Sequence, residues 1–164
     1  MALLTWVPNS FAGLTPSDLY RTEECAKSLE SGEGQFTEVK ISFFDVKHSD
    51  AIATFEGVVS EDGKTISDGD MSVNEEYRGH GFGLQMARRV IELHPDAVRI
   101  EGDLLGVNFT AFNKAFMETN QKKDAVMATP FYKIWSRLGF TSIRKVKVNY
   151  GSVEVVLMRP KGSR

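Results

Sequence analysis

Three glycines at alternate positions constrain this chain more than any other feature. They lie in the segment Arg78-Gly-His-Gly-Phe-Gly83, between a strand-like run at residues 65–74 and a run from residue 84 with apolar residues at helical spacing. Glycine adopts positive φ angles, and it has no Cβ atom to keep a neighbouring group away. The sequence therefore predicts a strand that passes through a tight turn into an amphipathic helix.

The start of such a helix is suited to binding an anion. Its first-turn N–H groups have no partners within the helix and carry partial positive charge. Gly79, Gly81 and Gly83 would let a pyrophosphate approach these N–H groups, and Arg78 would add charge at the rim. Because glycine-rich turns also occur where nothing binds, a purely structural role is the alternative.

Two other phosphate-binding motifs fit this segment less well. A nucleotide P-loop would end in Gly-Lys followed by Ser or Thr, and that ending does not occur here. The third glycine of a dinucleotide-binding fingerprint is replaced by Met86. Neither motif is favoured.

The rest of the chain changes between strand-like and helical patterns. A strand is predicted at residues 3–7, and a helix is predicted from Thr15 to about Leu29 because Thr15 can cap it and proline follows. Asp62-Gly63 predicts a hairpin with a primed turn. The other predicted strands are at 39–43, 51–59, 65–74, 97–105, 141–150 and 152–158, and helices are predicted from residue 83 and before Phe140.

The composition fits one globular domain over residues 1–164. Hydrophobic residues make up 41%, and the net charge of -2 gives no field that would attract nucleic acid or an anionic membrane. The lone Cys25 excludes an internal disulfide and a cysteine metal cluster, and it is expected to pack within the first helix. No segment has the pattern of a signal peptide or a membrane span. We therefore expect a cytoplasmic protein with no metal site.

The turn and its flanks together resemble the GNAT superfamily of acyl-CoA N-acetyltransferases. The family signature is Arg or Gln, two residues, Gly, one residue, and Gly or Ala, and Arg78, Gly81 and Gly83 match it. The segment Trp135-Ser-Arg-Leu-Gly-Phe140 is similar to the Tyr-x-x-x-Gly-Phe with which the last helix of the family ends. The resemblance covers roughly residues 37–158.

This resemblance implies an α/β (α+β) fold with a mixed, mostly antiparallel central sheet. Helices would flank the sheet on both faces, and the sheet would be splayed at the cofactor site. The implied cofactor is acetyl-CoA, whose pantetheine arm would pair with the backbone of Met71 and Val73 while the turn holds its pyrophosphate. The cofactor-binding residues implied are Met71, Val73, Arg78, Gly79, His80, Gly81, Phe82, Gly83 and Asn108.

The implied reaction is direct attack of an amine on the acyl group in a ternary complex, with backbone N–H groups at the splay stabilising the oxyanion. A lysine-like amine is almost wholly protonated at neutral pH, so a general base is needed, and Asp70 is the predicted one. Strand alternation predicts that Asp68 and Asp70 share the face of Ile66, opposite Met71 and Val73. Other candidate bases are Glu56, Asp68, Glu75, Glu76, Glu101 and Asp103.

The sequence also departs from the family pattern. Trp135 stands where the family often has a tyrosine that protonates the leaving thiolate, and an indole cannot act as an acid at neutral pH. Tyr132 is the predicted substitute acid, with simple packing as the alternative. The long spacing from Asn108 to Trp135 predicts an insertion at 109–130, either a lid or a segment with a solvated lysine face. Residues 159–164 are expected to be a flexible tail.

Two functions from different classes remain open. The first is an N-acyltransferase that moves an acetyl or similar small acyl group to an amine, and the second is a catalytically silent relative that serves as a binding or assembly module. Trp135 in place of tyrosine and the lack of an obvious general base keep the second open. A weaker alternative, nucleic-acid binding through the basic residues 144–147 and 159–164, is disfavoured by the overall charge. The sequence leaves open the acceptor amine and the oligomeric state, with a homodimer as one candidate.

Overall fold

The computed structural model describes residues 20–31, 34–45 and 51–160. Their strands are β1 Tyr20–Ser31, β2 Gly34–Asp45, β3 Ala51–Ser60, β4 Thr65–Val73, β5 Arg99–Leu104, β6 Ser142–Asn149 and β7 Ser152–Met158. Their helices are a 3-10 turn Glu75–Tyr77, α1 Phe82–Leu93, α2 Gly106–Thr119, α3 Lys122–Met127 and α4 Pro130–Ser136. Within this part of the chain, every helix is too short or too polar to cross a membrane.

The described strands form one sheet in the order β1-β2-β3-β4-β5-β7-β6. Only β4 and β5 run parallel, because α1 carries the chain back between them, and the other neighbours are antiparallel. The mixed, mostly antiparallel sheet is the fold that the sequence predicts. Six predicted strands correspond in order to β2, β3, β4, β5, β6 and β7; their predicted ranges are 39–43, 51–59, 65–74, 97–105, 141–150 and 152–158.

The core lies where α1 packs on the sheet. Alternating residues of β2, Val39, Ile41 and Phe43, are each at most 1% exposed, as their spacing predicts. The buried side of α1 meets them, and the ring of Phe82 lies 6.2 Å from that of Phe43. This contact fixes the first turn of α1 against the sheet.

The prediction of a helix from Thr15 to about Leu29 is wrong for residues 20–29, which the structure describes. Residues 20–31 are the edge strand β1, which pairs with β2 from Tyr20 opposite Asp45 to Ser31 opposite Gly34. A ladder of twelve residue pairs outweighs the modest helix preference of single residues. Cys25 therefore lies in a strand. The strand predicted at 3–7 lies outside the described residues.

A β-bulge interrupts the pairing of β3 with β4. Glu56 lies opposite Asp70 and Gly57 lies opposite Asp68, so Gly69 has no partner of its own. An extra residue in one strand shifts its alternation by one position and reverses the faces of all side chains beyond it.

The bulge overturns the predicted faces of β4. Met71 lies opposite Phe55, and both belong to the face on which Ile66 is buried. Asp70 lies on the other face, together with Ser72. The prediction that Asp70 shares the face of Ile66 was wrong because a regular alternation cannot include the unpaired glycine.

Two smaller predictions also need correction. The β3–β4 hairpin is closed by the bond from the N–H of Gly63 to the carbonyl of Ser60, 2.8 Å, and Gly63 has φ 69°. Asp62 does not have positive φ, so the turn is not of the primed type. At the other end, Arg159 is not a free tail residue, because its N–H donates to the carbonyl of Val98 and its guanidinium lies 4.5 Å from the centre of the Phe140 ring.

Candidate functional site

The sheet opens between β4 and β5. Their pairing runs from Thr65 opposite Arg99 to Asp68 opposite Gly102 and goes no further. Beyond this point β4 continues to Val73, held only by β3, while β5 continues beside β7. The two strands therefore diverge, as predicted for the cofactor site.

The backbone of β4 faces this opening at two residues. The N–H of Asn74 donates to the carbonyl of Ile52 in β3 at 2.9 Å. Because backbone groups of a strand point alternately to its two edges, those of Met71 and Val73 point away from β3 and into the opening. The Nε of Arg78 reaches the carbonyl of Val73 from that side, at 3.0 Å.

The glycine turn presents the start of α1 to the same opening. Gly79 and Gly81 have φ angles of 81° and 86°, which an L-residue with a Cβ atom adopts only with strain. The N–H of Gln85 bonds to the carbonyl of Gly81 at 3.0 Å. The N–H groups of Gly83 and Leu84 come before this bond, so they belong to the set that a helix leaves without internal partners.

Gly83 has a packing role that the sequence did not suggest. A Cβ atom at this position would lie 2.9 Å from Cδ1 of Ile134 in α4 and 3.4 Å from the sulfur of Met71. The absence of a side chain thus allows α1 to approach both α4 and β4. Gly79 differs, because a Cβ atom there would meet nothing within 4 Å.

Turn, strand edge and helices together enclose a cleft of about 700 Å³. This volume is within the range of small-molecule sites. Among the predicted site residues, the cleft is lined by Asp70, Met71, Val73, Arg78, Gly79, Gly81, Phe82, Gly83 and Asn108. Further lining residues are Ser72, Tyr77, Leu84, Asp103, Leu105, Gly106, Val107, Pro130, Phe131, Ile134, Trp135 and Arg137.

Of the residues predicted to bind the cofactor or to act as the principal base and acid, two are not on the cleft wall. Of the other candidate bases, Asp103 lines the cleft, whereas Glu56, Glu75, Glu76 and Glu101 do not. His80 belongs to the turn but does not line the cleft. Tyr132 also lies outside the lining, and its hydroxyl donates to the carbonyl of Thr141 at 3.3 Å. The prediction that Tyr132 is the general acid therefore lacks a geometric basis.

Trp135 does reach the cleft. Its side chain is fully buried, and its ring meets that of Phe140 edge to face with the centres 5.9 Å apart. An indole N–H can donate a hydrogen bond but cannot supply a proton at neutral pH. No ionisable acid takes the place of the family tyrosine at this position.

Two carboxylates line the cleft from opposite strands, Asp70 on β4 and Asp103 on β5. In the part of the chain that the structure describes, neither takes part in an ion pair, whereas Glu56 contacts Lys40 and Glu101 contacts Arg99 at 2.5 Å. Asp70 and Asp103 are therefore the carboxylates available to a bound amine.

Sequence reasoning missed several lining residues. Arg137 lies within the Trp135–Phe140 motif and adds a second cation to the wall. Leu105 and Val107 follow β5 and are 55% and 61% exposed, so they form an apolar rim. The sequence did contain a signal for this rim, since Leu105 and Val107 directly follow β5 and lie next to the predicted site residue Asn108.

The segment predicted as an insertion forms the rest of α2 and all of α3. Its Phe112, Ala125 and Val126 are buried in the core, whereas Lys122 and Lys123 are exposed. The cleft wall passes from Asn108 directly to Pro130. The segment thus supports the fold behind the cleft, and the interpretation as a lid remains a prediction.

Comparison with known protein families gives no matching family model, and no curated protein sequence matches significantly. Solved structures do match. A coenzyme A complex of an aminoglycoside 6'-N-acetyltransferase is 12% identical with a TM-score of 0.52, over 77% of this chain and 76% of that chain. The ribosomal-protein-S18-alanine N-acetyltransferase from Escherichia coli is 12% identical with a TM-score of 0.51, over 77% and 71% of the two chains.

At such low identity, these matches establish architecture and not activity. The architecture nevertheless agrees with the sequence at its most specific points, which are the splayed strands and the glycine turn that begins α1. The chain has the fold of these two N-acetyltransferases, and this is the fold that the resemblance at Arg78, Gly81 and Gly83 implies.

Proposed function

We propose that this chain is an N-acetyltransferase that moves an acetyl group, or a similar small acyl group, from acyl-CoA to an amine. The observation that carries this proposal is a convergence in one cleft: the glycine turn, the start of α1 and the free edge of β4 all line it. Each part alone has a structural explanation, but together they match the parts of a long, partly anionic ligand.

The residues present fit coenzyme A. The N–H groups at the start of α1 suit a pyrophosphate, since they carry partial positive charge and the glycine turn leaves them accessible. Arg78 uses its Nε on the carbonyl of Val73 and keeps its terminal N–H groups for a phosphate. The outward backbone groups of Met71 and Val73 suit an amide-bearing arm that adds to the edge of β4.

Acetyl-CoA, when bound, supplies an acyl group activated as a thioester. The residues of the chain then orient the acceptor and accept a proton. Asp70 is the proposed base, with Asp103 across the opening as the second carboxylate. An amine that arrives protonated must lose its proton before it attacks, and a carboxylate within the cleft can accept that proton directly or through water.

A catalytically silent binding module remains the second candidate, and a specific observation favours it. Tyr132 points to Thr141, and Trp135 offers no acidic proton, so α4, where the family tyrosine would lie, places no general acid on the described cleft wall. This candidate predicts cofactor binding without turnover.

The two candidates are separated by one pair of measurements on the full chain. Acetyl-CoA should raise the melting temperature, and a panel of amines should then release free thiol from acetyl-CoA at a rate above the amine-free control. A thermal shift without thiol release from any amine supports the silent module. Unchanged melting temperature at millimolar acetyl-CoA contradicts the acetyltransferase and the cofactor-binding module, and it leaves an assembly role that does not use the cofactor.

A further inference from the structure

Three helices begin at the wall of the cleft, and the N-termini of α1 and α4 differ. The first turn of α1 keeps N–H groups open, as described above. At α4 the corresponding groups are all accounted for, since Pro130 has no N–H and the N–H of Lys133 bonds to the carbonyl of Thr129 at 3.1 Å. The N–H of Tyr132 donates to the hydroxyl oxygen of Thr129 at 3.2 Å.

The remaining N–H of this turn, that of Phe131, is satisfied from another element. It donates to Oδ1 of Asn108 at 2.8 Å, across a separation of 23 residues. Asn108 lies in the first turn of α2, next to the apolar rim of the cleft. Its side chain therefore joins one wall of the cleft to the helix that forms the other.

Phe131 shows why this bond matters for the shape of the cleft. Its ring packs so closely on β5 that a Cβ atom at Gly102 would lie 2.6 Å from Cε2 of the ring. Gly102 is the last residue of β5 that pairs with β4. A bond that fixes the backbone of Phe131 thus fixes the position of α4 at the point where the strands diverge.

We propose that Asn108 is a positioning residue, which caps α4 through Oδ1 and so holds the two walls of the cleft at the spacing that the cofactor needs. This role differs from direct donation by the side-chain amide to the cofactor, which the resemblance implies for Asn108. The inference rests on the proposed function for its effect on acetyl-CoA, but the capping bond itself can be measured without any ligand.

Two substitutions distinguish the two roles. Asn108→Asp keeps an acceptor oxygen for the N–H of Phe131, and its negative charge is favourable at a helix N-terminus. Asn108→Ala removes the acceptor. If Asn108 acts by positioning, Asn108→Asp keeps acetyl-CoA affinity within about threefold of the parent, whereas Asn108→Ala weakens it at least about tenfold. If the amide donates to the cofactor, Asn108→Asp loses affinity as severely as Asn108→Ala, which overturns the proposal.

Amide hydrogen exchange at Phe131 supplies a readout that needs no cofactor. We expect slow exchange in the parent and in Asn108→Asp, and faster exchange by about tenfold or more in Asn108→Ala. Equal exchange in all three proteins would overturn the capping role even if no acetyl-CoA binds. Slow exchange in the parent together with no binding of acetyl-CoA would instead count against the proposed function alone.

Discussion

At the scale of single residues, the cleft is specified by a few side chains with distinct tasks. Asp70 presents a carboxylate without an ion-pair partner in the described chain, and Arg78 joins the turn to the end of β4. Tyr132, one residue beyond the capping bond of Phe131, is directed to Thr141. Residues adjacent in sequence thus differ in whether they reach the cleft, and substitutions can separate their contributions.

Replacing the carboxylate of Asp70 by an amide tests its role as base. Asp70→Asn should lower kcat for a protonated amine by about 100-fold or more, since general base catalysis typically contributes that much. The affinity for acetyl-CoA should stay within about threefold, because a base makes its contribution in the reaction and not in cofactor binding. Steady-state kinetics with the best amine of the panel provide the measurement.

Tyr132→Phe is the matched control for Asp70→Asn. The loss of its hydroxyl removes the bond to Thr141 and should lower the free energy of unfolding by about 0.5–1.5 kcal/mol, with kcat within about threefold of the parent. A fall of kcat in Tyr132→Phe as large as that in Asp70→Asn would show that the phenol does act in the reaction. A kcat for Asp70→Asn equal to the parent value would exclude Asp70 as the base and leave Asp103.

At the scale of elements, the order of strand, turn and helix was predictable and the exact faces were not. The turn was predictable because Gly79 and Gly81 adopt positive φ angles. Glycine adopts such angles readily whatever its neighbours are, so the sequence alone indicates them. The bulge at Gly69 and the strand β1 depend on pairing partners distant in sequence, which local patterns do not contain. The position of Tyr132 likewise depends on how α4 is turned about its axis. The sequence therefore predicted the glycine turn and the strand edge that line the cleft, but it did not predict the faces of β4 or the direction of the Tyr132 side chain.

The contact between α4 and β5 gives a prediction at this scale. Gly102→Ala places a methyl group inside the van der Waals radius of the Phe131 ring, and overpacking of this kind costs about 1–3 kcal/mol. The melting temperature should fall by about 2–4 °C for each kcal/mol. In the double variant with Phe131→Leu, the loss of stability should be smaller than the sum of the losses in the two single variants, because the smaller side chain makes room for the methyl group. Strict additivity in thermal or urea unfolding would show that the two residues do not contact.

The end of α1 gives a prediction about pH. Burial lowers the pKa of His94 below its usual value of 6.5. Because the unfolded chain then binds a proton more readily than the folded one, stability falls as the pH drops through 6.5, and the loss levels off below the folded pKa. His94→Gln should reduce the pH dependence of the unfolding free energy between about pH 7 and pH 5. An identical slope in urea unfolding of the two proteins over this range would contradict the assignment.

At the scale of the whole molecule, the sheet is continuous over most of its width and open at one place. β4 is held by β3 and β5 by β7, so each strand stays ordered after the two separate. α1 crosses between them and begins at the opening, which sets the open N-terminus of a helix beside a free strand edge. The central claim is that the glycine turn at this opening binds the phosphates of an acyl-CoA.

A pair of glycine substitutions tests this claim most directly. Gly81 and Gly151 both have positive φ, 86° and 80°, and both leave space for a side chain, but only Gly81 lines the cleft. Gly81→Asp and Gly151→Asp therefore carry the same backbone strain and the same added charge. The measurement is the dissociation constant of acetyl-CoA by isothermal titration, with circular dichroism to verify that both variants are folded.

The expected result is that Gly151→Asp binds acetyl-CoA within about threefold of the parent, while Gly81→Asp binds at least about 100-fold more weakly, because its carboxylate blocks and repels the pyrophosphate. A folded Gly81→Asp variant with the affinity of the parent would contradict the account.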